Sequence, residues 1–214
     1  MNKFKKHYNQ DSLVYGISPK RKAKIFDLLD NASGKKVLDV GCGEGYLGAE
    51  IAKNNNFVVG VDISEKSVGK AKKILHDAMA LDLQEEKVPY ADKFFDVIVM
   101  TEVIEHLLLP EEVFKETKRL LKDDGFMIIT TPNFLFFVNR IKILFGQFEY
   151  TESGFLDRGH IHFFQIDSFE KMLKQTGLKV DLYNHVYGGR ISEFVGRLYP
   201  KLFAFQIVAK VSKA

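Results

Sequence analysis

The sequence predicts an α/β fold built on a mostly parallel sheet. Three observations carry this expectation. Short apolar runs alternate with helical segments from Pro19 to Thr130. A glycine-rich turn joins the first of those runs to the helix after it. Past residue 133 the alternation stops, and two late strand-like runs close the chain. Strand–helix–strand alternation demands parallel pairing through right-handed crossovers.

Ser18-Pro19 reads as an N-cap followed by proline at the first helical position. The helix should run to about Asn31 on Ile25, Phe26, Leu28 and Leu29, with Gly34 ending it. Val37–Val40 is a short buried strand. A helix through Leu47, Ile51 and Ala52 follows the glycines, and Asn54–Asn56 makes a turn. Phe57–Val61 is a second strand, and Ser64 caps a helix reaching Leu75. A brief strand lies near Met79–Leu81, and Phe95–Met100 is an apolar fourth strand. Pro110 opens a helix that stops near Asp123-Asp124-Gly125, and Phe126–Thr130 is the fifth strand. Phe134–Phe145 reads as a helix with Gly146 past its end. Ser168 caps another through Phe169, Met172 and Leu173, ended by Gly177. Leu178–Tyr183 and Leu202–Val211 then finish the sheet in antiparallel fashion.

The 214 residues suit one domain over 1–214, with an N-terminal helical segment of about 1–33 and a lid-like insertion of about 134–165. Hydrophobic residues at 46% and charged residues at 28% are the balance of a soluble globular chain that buries its own core. Cys42 is the single cysteine, which excludes an internal disulfide and fits a reducing compartment. The basic start has no apolar stretch behind it, and no run approaches a bilayer span of roughly 18–20 residues, so the expectation is cytoplasmic. A net charge of +3 is too mild to argue nucleic-acid binding. The early cluster Lys3, Lys5, Lys6, Lys20, Arg21, Lys22 and Lys24 reads as a solvated helix face rather than a phosphate patch.

The chemistry concentrates in Asp39-Val40-Gly41-Cys42-Gly43-Glu44-Gly45, between a strand and a helix. Glycines there let the backbone turn tightly and approach a ligand, and the helix N-terminus beyond offers unpaired N–H groups. Asp62 ends the next strand, 21 positions after Gly41, where a carboxylate accepts ribose hydroxyls. A dinucleotide loop wants G-x-G-x-x-G, but here the third glycine comes one residue early. Asp39, two positions before the first glycine, suits the ammonium of a methionyl group. Both features favour S-adenosylmethionine (SAM) over NAD. Cys42, inside the loop, reads as a small packing residue rather than a nucleophile.

Val37–Gly45 resembles motif I of the class I SAM-dependent methyltransferases, and Val59–Ser64 resembles their ribose-binding strand end. Phe95–Ile98 with Glu102–Leu107 is similar to the ubiquinone-biosynthesis-like branch. Leu120–Gly125 with Thr131-Pro132-Asn133 resembles its next motif. Gly146–Phe164, with Leu156-Asp157-Arg158 and His160–Phe164, looks like a subgroup of mostly unassigned substrate. The resemblance implies a Rossmann-like, doubly wound sheet of seven strands with one antiparallel. It implies that Asp39, Gly41, Cys42, Gly43 and Gly45 surround the methionyl end, that Asp62 holds the ribose, and that Ile63 packs on adenine. Asp82 and the Leu83 backbone would meet the adenine amino group, with Asp77 an alternative nearby. Thr101 would lie near the sulfonium, and Tyr8 or Tyr15 could close over the cofactor.

Glu102, Glu105 and His106 have i, i+3, i+4 spacing and would share a helix face. In some relatives that trio is assigned to a divalent metal; a structural or substrate-facing role is favoured here, and no metal is expected. His160 and His106 are the candidate bases, His160 first. His162 stands where the subgroup often has arginine. Phe134–Tyr150 reads as a core helix, a lid over the acceptor, or a membrane-surface helix with Arg140 and Lys142 as its basic face; peripheral membrane contact is not favoured. After the fourth strand the chain has Met100-Thr101-Glu102-Val103 rather than the Asn/Asp-Pro-Pro-aromatic signature of nucleic-acid amino-methylating enzymes. The expectation is therefore O-methylation of a small-molecule or glycan/lipid-linked acceptor, leaving S-adenosylhomocysteine. The alternatives are an RNA or protein methyltransferase, or a non-enzymatic SAM-binding protein.

Overall fold

The computed structural model describes residues 17–151 and 155–214. Tyr8, Tyr15 and the lysines at 3, 5 and 6 lie outside them. Ser18 caps α1 (Pro19–Leu29), its hydroxyl accepting from the Arg21 amide at 3.2 Å. The helix ends two residues earlier than expected. Asp30 (φ 49°) and Asn31 (φ 54°) turn the chain in the left-handed conformation directly after the helix, before Gly34, which is left-handed as well (φ 67°).

The alternation then runs β1 (Lys36–Val40), α2 (Tyr46–Ala52), β2 (Phe57–Asp62), α3 (Glu65–Ala71) and β3 (Asp77–Ala80). α3 stops at Ala71, short of Leu75, although Leu75 still packs into the core as a helical residue would. Next come β4 (Phe95–Thr101), a 3₁₀ turn (Ile104–His106), α4 (Pro110–Leu120) and β5 (Leu121–Pro132). β5 starts at once after α4, so Asp123–Gly125 lies within a strand rather than stopping a helix; Leu121 pairs with Phe95 before the register shifts.

α5 (Phe137–Leu144) begins three residues later than expected, since Phe134 is tied back to Phe164 through a backbone hydrogen bond of 2.8 Å. α6 (Ile166–Gln175) is capped by Gln165, not Ser168. Ser168 sits at the third helical position, and its hydroxyl accepts the Gln165 amide at 3.0 Å. β6 (Leu178–Tyr183), a two-residue β7 (Val186–Tyr187), α7 (Arg190–Leu198), α8 (Pro200–Phe203) and β8 (Ala204–Lys213) complete the chain. Leu202 and Phe203 are therefore helical, and the last strand starts at Ala204.

The sheet order is β3-β2-β1-β4-β5-β8-β6, with β7 as an eighth strand beside β8. β8 is antiparallel to β5 and β6; the pairs from β3 through β5 are parallel. This is the Rossmann-like sheet with one reversed strand, plus the short β7 that its two residues gave no periodicity to announce. Successive strand residues feed opposite layers, as the pleat requires. Leu38, Val40, Ile98 and Met100 pack with Phe114 of α4 and Phe169 of α6. Val37, Val97 and Val99 pack with Ile25 of α1 and Ile51 of α2. Strand order reverses between β1 and β4, which opens a crevice at their carboxyl ends. Among the described residues no helix is long and apolar enough to cross a membrane.

Phe169 is fully buried at the centre of one layer. Phe169→Ala is expected to cost about 3–5 kcal/mol, read as a lower urea midpoint at unchanged slope.

Candidate cofactor and acceptor site

A cavity of about 710 Å³ opens at the β1/β4 switch point. Its floor is the glycine loop. Gly41 and Cys42 donate their amides to the Val61 carbonyl at 2.8 and 3.0 Å, so the loop crosses the end of β2. Gly43 donates to Asp62 Oδ2 at 2.8 Å, and Ser64 donates to Asp62 Oδ1 at 2.8 Å. Both oxygens of Asp62 are thus fixed by backbone while the residue lines the cavity. Burial raises the pKa of Asp62, against the pull of those amides. Gly41 has φ 68°, and a Cβ there would collide with Val103.

Asp39, Gly41, Cys42, Gly43, Asp62, Ile63, Asp82, Leu83, Thr101, His106 and His160 all line this cavity. Gly45 does not. It caps α2 with φ 86°, and a Cβ on it would press Ala71 of α3 at 3.1 Å, so its lack of a side chain serves helix packing. Asp77 is also outside the lining; it accepts from the Tyr90 hydroxyl at 3.2 Å, leaving Asp82 as the acid of this wall. Cys42 is 8% exposed, its thiol pKa pushed up by burial and then by the charges of Asp39 and Asp62. It is poorly suited to act as a nucleophile.

Asp39 is buried, and its Oδ2 has no hydrogen-bond partner. Burial first, then the charge of Asp62, raise its pKa to about 7, while the Gly48 amide pulls it down. A cation arriving above the loop would relieve both causes.

The opposite wall comes from the 3₁₀ turn and residues 155–160. His106 Nδ1 lies 3.0 Å from the Gly159 carbonyl, and His160 Nδ1 lies 3.1 Å from the Phe155 carbonyl. A carbonyl only accepts, so in the neutral ring each Nδ1 carries the proton. For His160 this leaves Nε2 as the basic nitrogen. The two rings meet edge to face at 4.7 Å. His162 is not in the lining; its Nε2 lies 3.3 Å from the Leu108 carbonyl. Phe155 and Phe205 meet at 4.5 Å and form an apolar wall beside His160.

The trio Glu102, Glu105 and His106 is not brought together as expected. Glu102 lies outside the 3₁₀ turn with φ 54°, so the three do not share a helix face. Its carboxylate accepts from Arg21 Nη1 at 2.8 Å, Thr130 Oγ1 at 2.9 Å and Gln206 Nε2 at 2.7 Å. Among the described residues the donors that do converge are Glu105, His106 and His160, with ligand atoms within 4.8 Å of one another. Glu105 is buried, accepts from Thr131 at 3.0 Å and has no partner on Oε1. Burial, and then the charge of Glu102, hold its pKa well above the carboxylate range.

Sequence reasoning missed Arg21, Gln206, Phe155 and Phe205 as lining residues. A signal existed for Arg21. It stands four residues before Ile25, on the buried face of α1, although the basic cluster it belongs to reads as a solvated helix face.

A sequence profile described as "Methyltransferase domain" matches residues 17–183. The chain belongs to the methyltransferase domain family. Ubiquinone biosynthesis O-methyltransferase of Pasteurella multocida is 33% identical over 134 residues, covering 56% of this chain and 55% of that protein. The namesake in Dechloromonas aromatica is 34% identical over 128 residues, covering 56% and 53%. The chain thus spans about half the length of these curated relatives. Among solved structures, a SAM-dependent methyltransferase from Archaeoglobus fulgidus superposes with a TM-score of 0.65 at 20% identity, covering 91% of this chain and 93% of that one. One from Mesorhizobium loti gives 0.66 at 12% identity, covering 91% and 98%. The fold is therefore that of SAM-dependent methyltransferases, and SAM is the family's cofactor. The residues present fit it: Asp39 Oδ2 lacks a partner in a cavity floored by side-chain-free Gly41 and Gly43.

Because Asp39 has a folded-state pKa above its ordinary 3.8, the folded chain binds a proton that the unfolded chain releases between those values. The group therefore subtracts stability as pH rises from about 4 to about 7. Asp39→Asn is expected to flatten that fall, melting above wild type at pH 8 and with it at pH 4 in cofactor-free thermal scans. Parallel pH profiles for the two proteins would show that Asp39 titrates normally.

Proposed function

We propose that this chain transfers the methyl group of SAM to an oxygen of a small-molecule or glycan/lipid-linked acceptor. The observation that carries the proposal is a single cavity running from the glycine loop to His160, Phe155 and Phe205. The curated relatives' printed name, O-methyltransferase, supports oxygen as the acceptor atom.

When bound, SAM supplies a methyl already activated on a sulfonium sulfur and is left as S-adenosylhomocysteine. The chain's own residues then have three tasks. The Asp62 carboxylate, pinned by Gly43 and Ser64, presents its remaining lone pairs to the ribose hydroxyls. Arg21, whose Nε is buried without a partner in the cavity wall, takes the methionyl carboxylate, and Asp39 answers the ammonium. His160 Nε2 accepts the acceptor's hydroxyl proton as the oxygen attacks, with the Phe155 carbonyl holding the ring in the required tautomer. Holding oxygen and methyl in line is the larger contribution, roughly 7–11 kcal/mol in favourable cases.

The described residues of the 134–165 segment supply the acceptor wall in this reading. Phe155, Asp157 and His160 reach the cavity, whereas α5 leaves Ile141, Ile143 and Leu144 exposed. That exposure argues against a plain core helix.

Asp62→Ala is expected to weaken SAM binding at least about tenfold, since hydrogen bonds to a charged group are lost, with a small fall in melting temperature from the unpaired Gly43 amide. Unchanged affinity by calorimetry would remove Asp62 from the ribose. His160→Ala is expected to lower turnover by about 10²-fold or more with SAM affinity retained, once a labelled-methyl screen of hydroxylated acceptors has found a substrate. The proposed chemistry uses no metal ion, so chelator-treated protein should keep its turnover. Loss of activity restored by Mg²⁺ would instead place an ion on Glu105, His106 and His160.

A further inference from the structure

We propose that Glu102 is a positioning residue that sets the Arg21 guanidinium for the amino-acid end of the cofactor and ties α1 to the cavity. The proposal rests on the reading of this cavity as the SAM site.

Glu102 adopts φ 54°, a left-handed conformation that L side chains resist and that persists where the surroundings over-determine it. Here they do. Its amide donates to the Thr130 carbonyl at 3.0 Å, continuing the β4–β5 ladder past the last β4 residue. Its carboxylate receives Thr130 Oγ1 from β5, Gln206 Nε2 from β8 and Arg21 Nη1 from α1. One side chain thus joins three elements at the rim of the crevice, and a hydrogen-bonded carboxylate with three donors is held in one orientation.

The consequence falls on Arg21. Its side chain is 12% exposed, and the ion pair to Glu102 fixes one end of the guanidinium. Nε remains buried without a partner. A guanidinium presents its donors as a rigid fork, so fixing Nη1 also fixes the edge that carries Nε. An unpaired buried donor is costly unless a ligand completes it. Among the described residues of the lining the other cation is Lys22, and it is engaged by Glu50 at 3.0 Å. A ligand carboxylate therefore meets Arg21, and Glu102 decides where Arg21 stands.

The test separates the amino-acid end of the ligand from its nucleoside end. S-Adenosylhomocysteine carries both; 5′-methylthioadenosine carries the nucleoside and thioether but no carboxylate. Calorimetry on the full chain is expected to show that Glu102→Gln weakens S-adenosylhomocysteine about tenfold while 5′-methylthioadenosine binds as to wild type. The glutamine is isosteric, and the Thr130 hydroxyl can turn to accept its amide, so the fold is kept; what is lost is the charge that makes the Arg21 contact an ion pair, and the neutral hydrogen bond left in its place holds the guanidinium less firmly. Glu102→Gly, which accepts φ 54° without strain, should give the same selective loss and serves if the glutamine variant is unstable. In the double variant with Arg21→Met, the Glu102→Gln loss should vanish, because both act on one contact. Equal weakening of both ligands, or full additivity with Arg21→Met, would overturn the proposal and leave Glu102 a structural brace. If wild type bound neither ligand, the SAM reading itself would fall instead.

Discussion

The Asp62 carboxylate is held on both oxygens by backbone amides, one from the glycine loop and one from the turn into α3. The geometry of the cavity follows from this arrangement. β2 can carry the loop over its end only because Val61 takes two loop amides on its carbonyl while Asp62 takes the third. Gly60, just before, cannot carry a side chain: a Cβ would lie 2.7 Å from Cys42 Sγ. Cys42 and Gly60 are thus a matched pair, and the small thiol fills space that a larger residue would take from the loop. Burying Asp62 and Asp39 together sets two acids in low dielectric, and a shared environment of that kind is stable only with cationic company.

Across the crevice the cation in the wall is already engaged, with Arg21 Nη1 held by Glu102 at 2.8 Å. Arg21 reaches over from α1 to the end of β4, so the first helix contributes to the pocket as well as to the core beneath it. The pocket wall is built from three widely separated parts of the chain, joined where Glu102 meets Thr130 and Gln206. The aromatic side has a similar logic. Phe136 packs against both Phe155 and Phe205. The residues carrying His160 are therefore braced from α5's approach and from β8, while His160 itself leans on His106.

Much of this was legible in the sequence because its causes are local. Ser18-Pro19 and Ser64 announce helix starts through caps that need no tertiary partner, and the glycine spacing announces the loop. The buried strands were readable from apolar runs bounded by turn residues. What escaped was set by distant contacts. Asp30 closes α1 because the chain must turn into β1 there, although Gly34 is the better local candidate. Gln165 caps α6 because Ser168 is placed to answer it from inside the helix. β5 begins at Leu121 through its pairing with Phe95, against polar residues that read as a turn. In the site, Asp62 and His160 were visible as residue types in suggestive places. Arg21 was hidden in a run of basic residues, and Glu102 was assigned to a helix face it does not occupy, because a left-handed glutamate has no sequence signature.

The reversed strand has a consequence for how this chain comes to be folded at all. β8 inserts between β5 and β6, and its pairing with Met127–Pro132 on one side and Leu178–Tyr183 on the other is what makes the sheet continuous. During translation β5 therefore waits with an open edge while some seventy further residues are made, and β6 waits with none of its described pairing available. Pairings so distant in sequence close slowly, and an open apolar edge is a template for the wrong strand. The exposed species is the chain with β1 to β5 paired and the outer edge of β5 still waiting for β8.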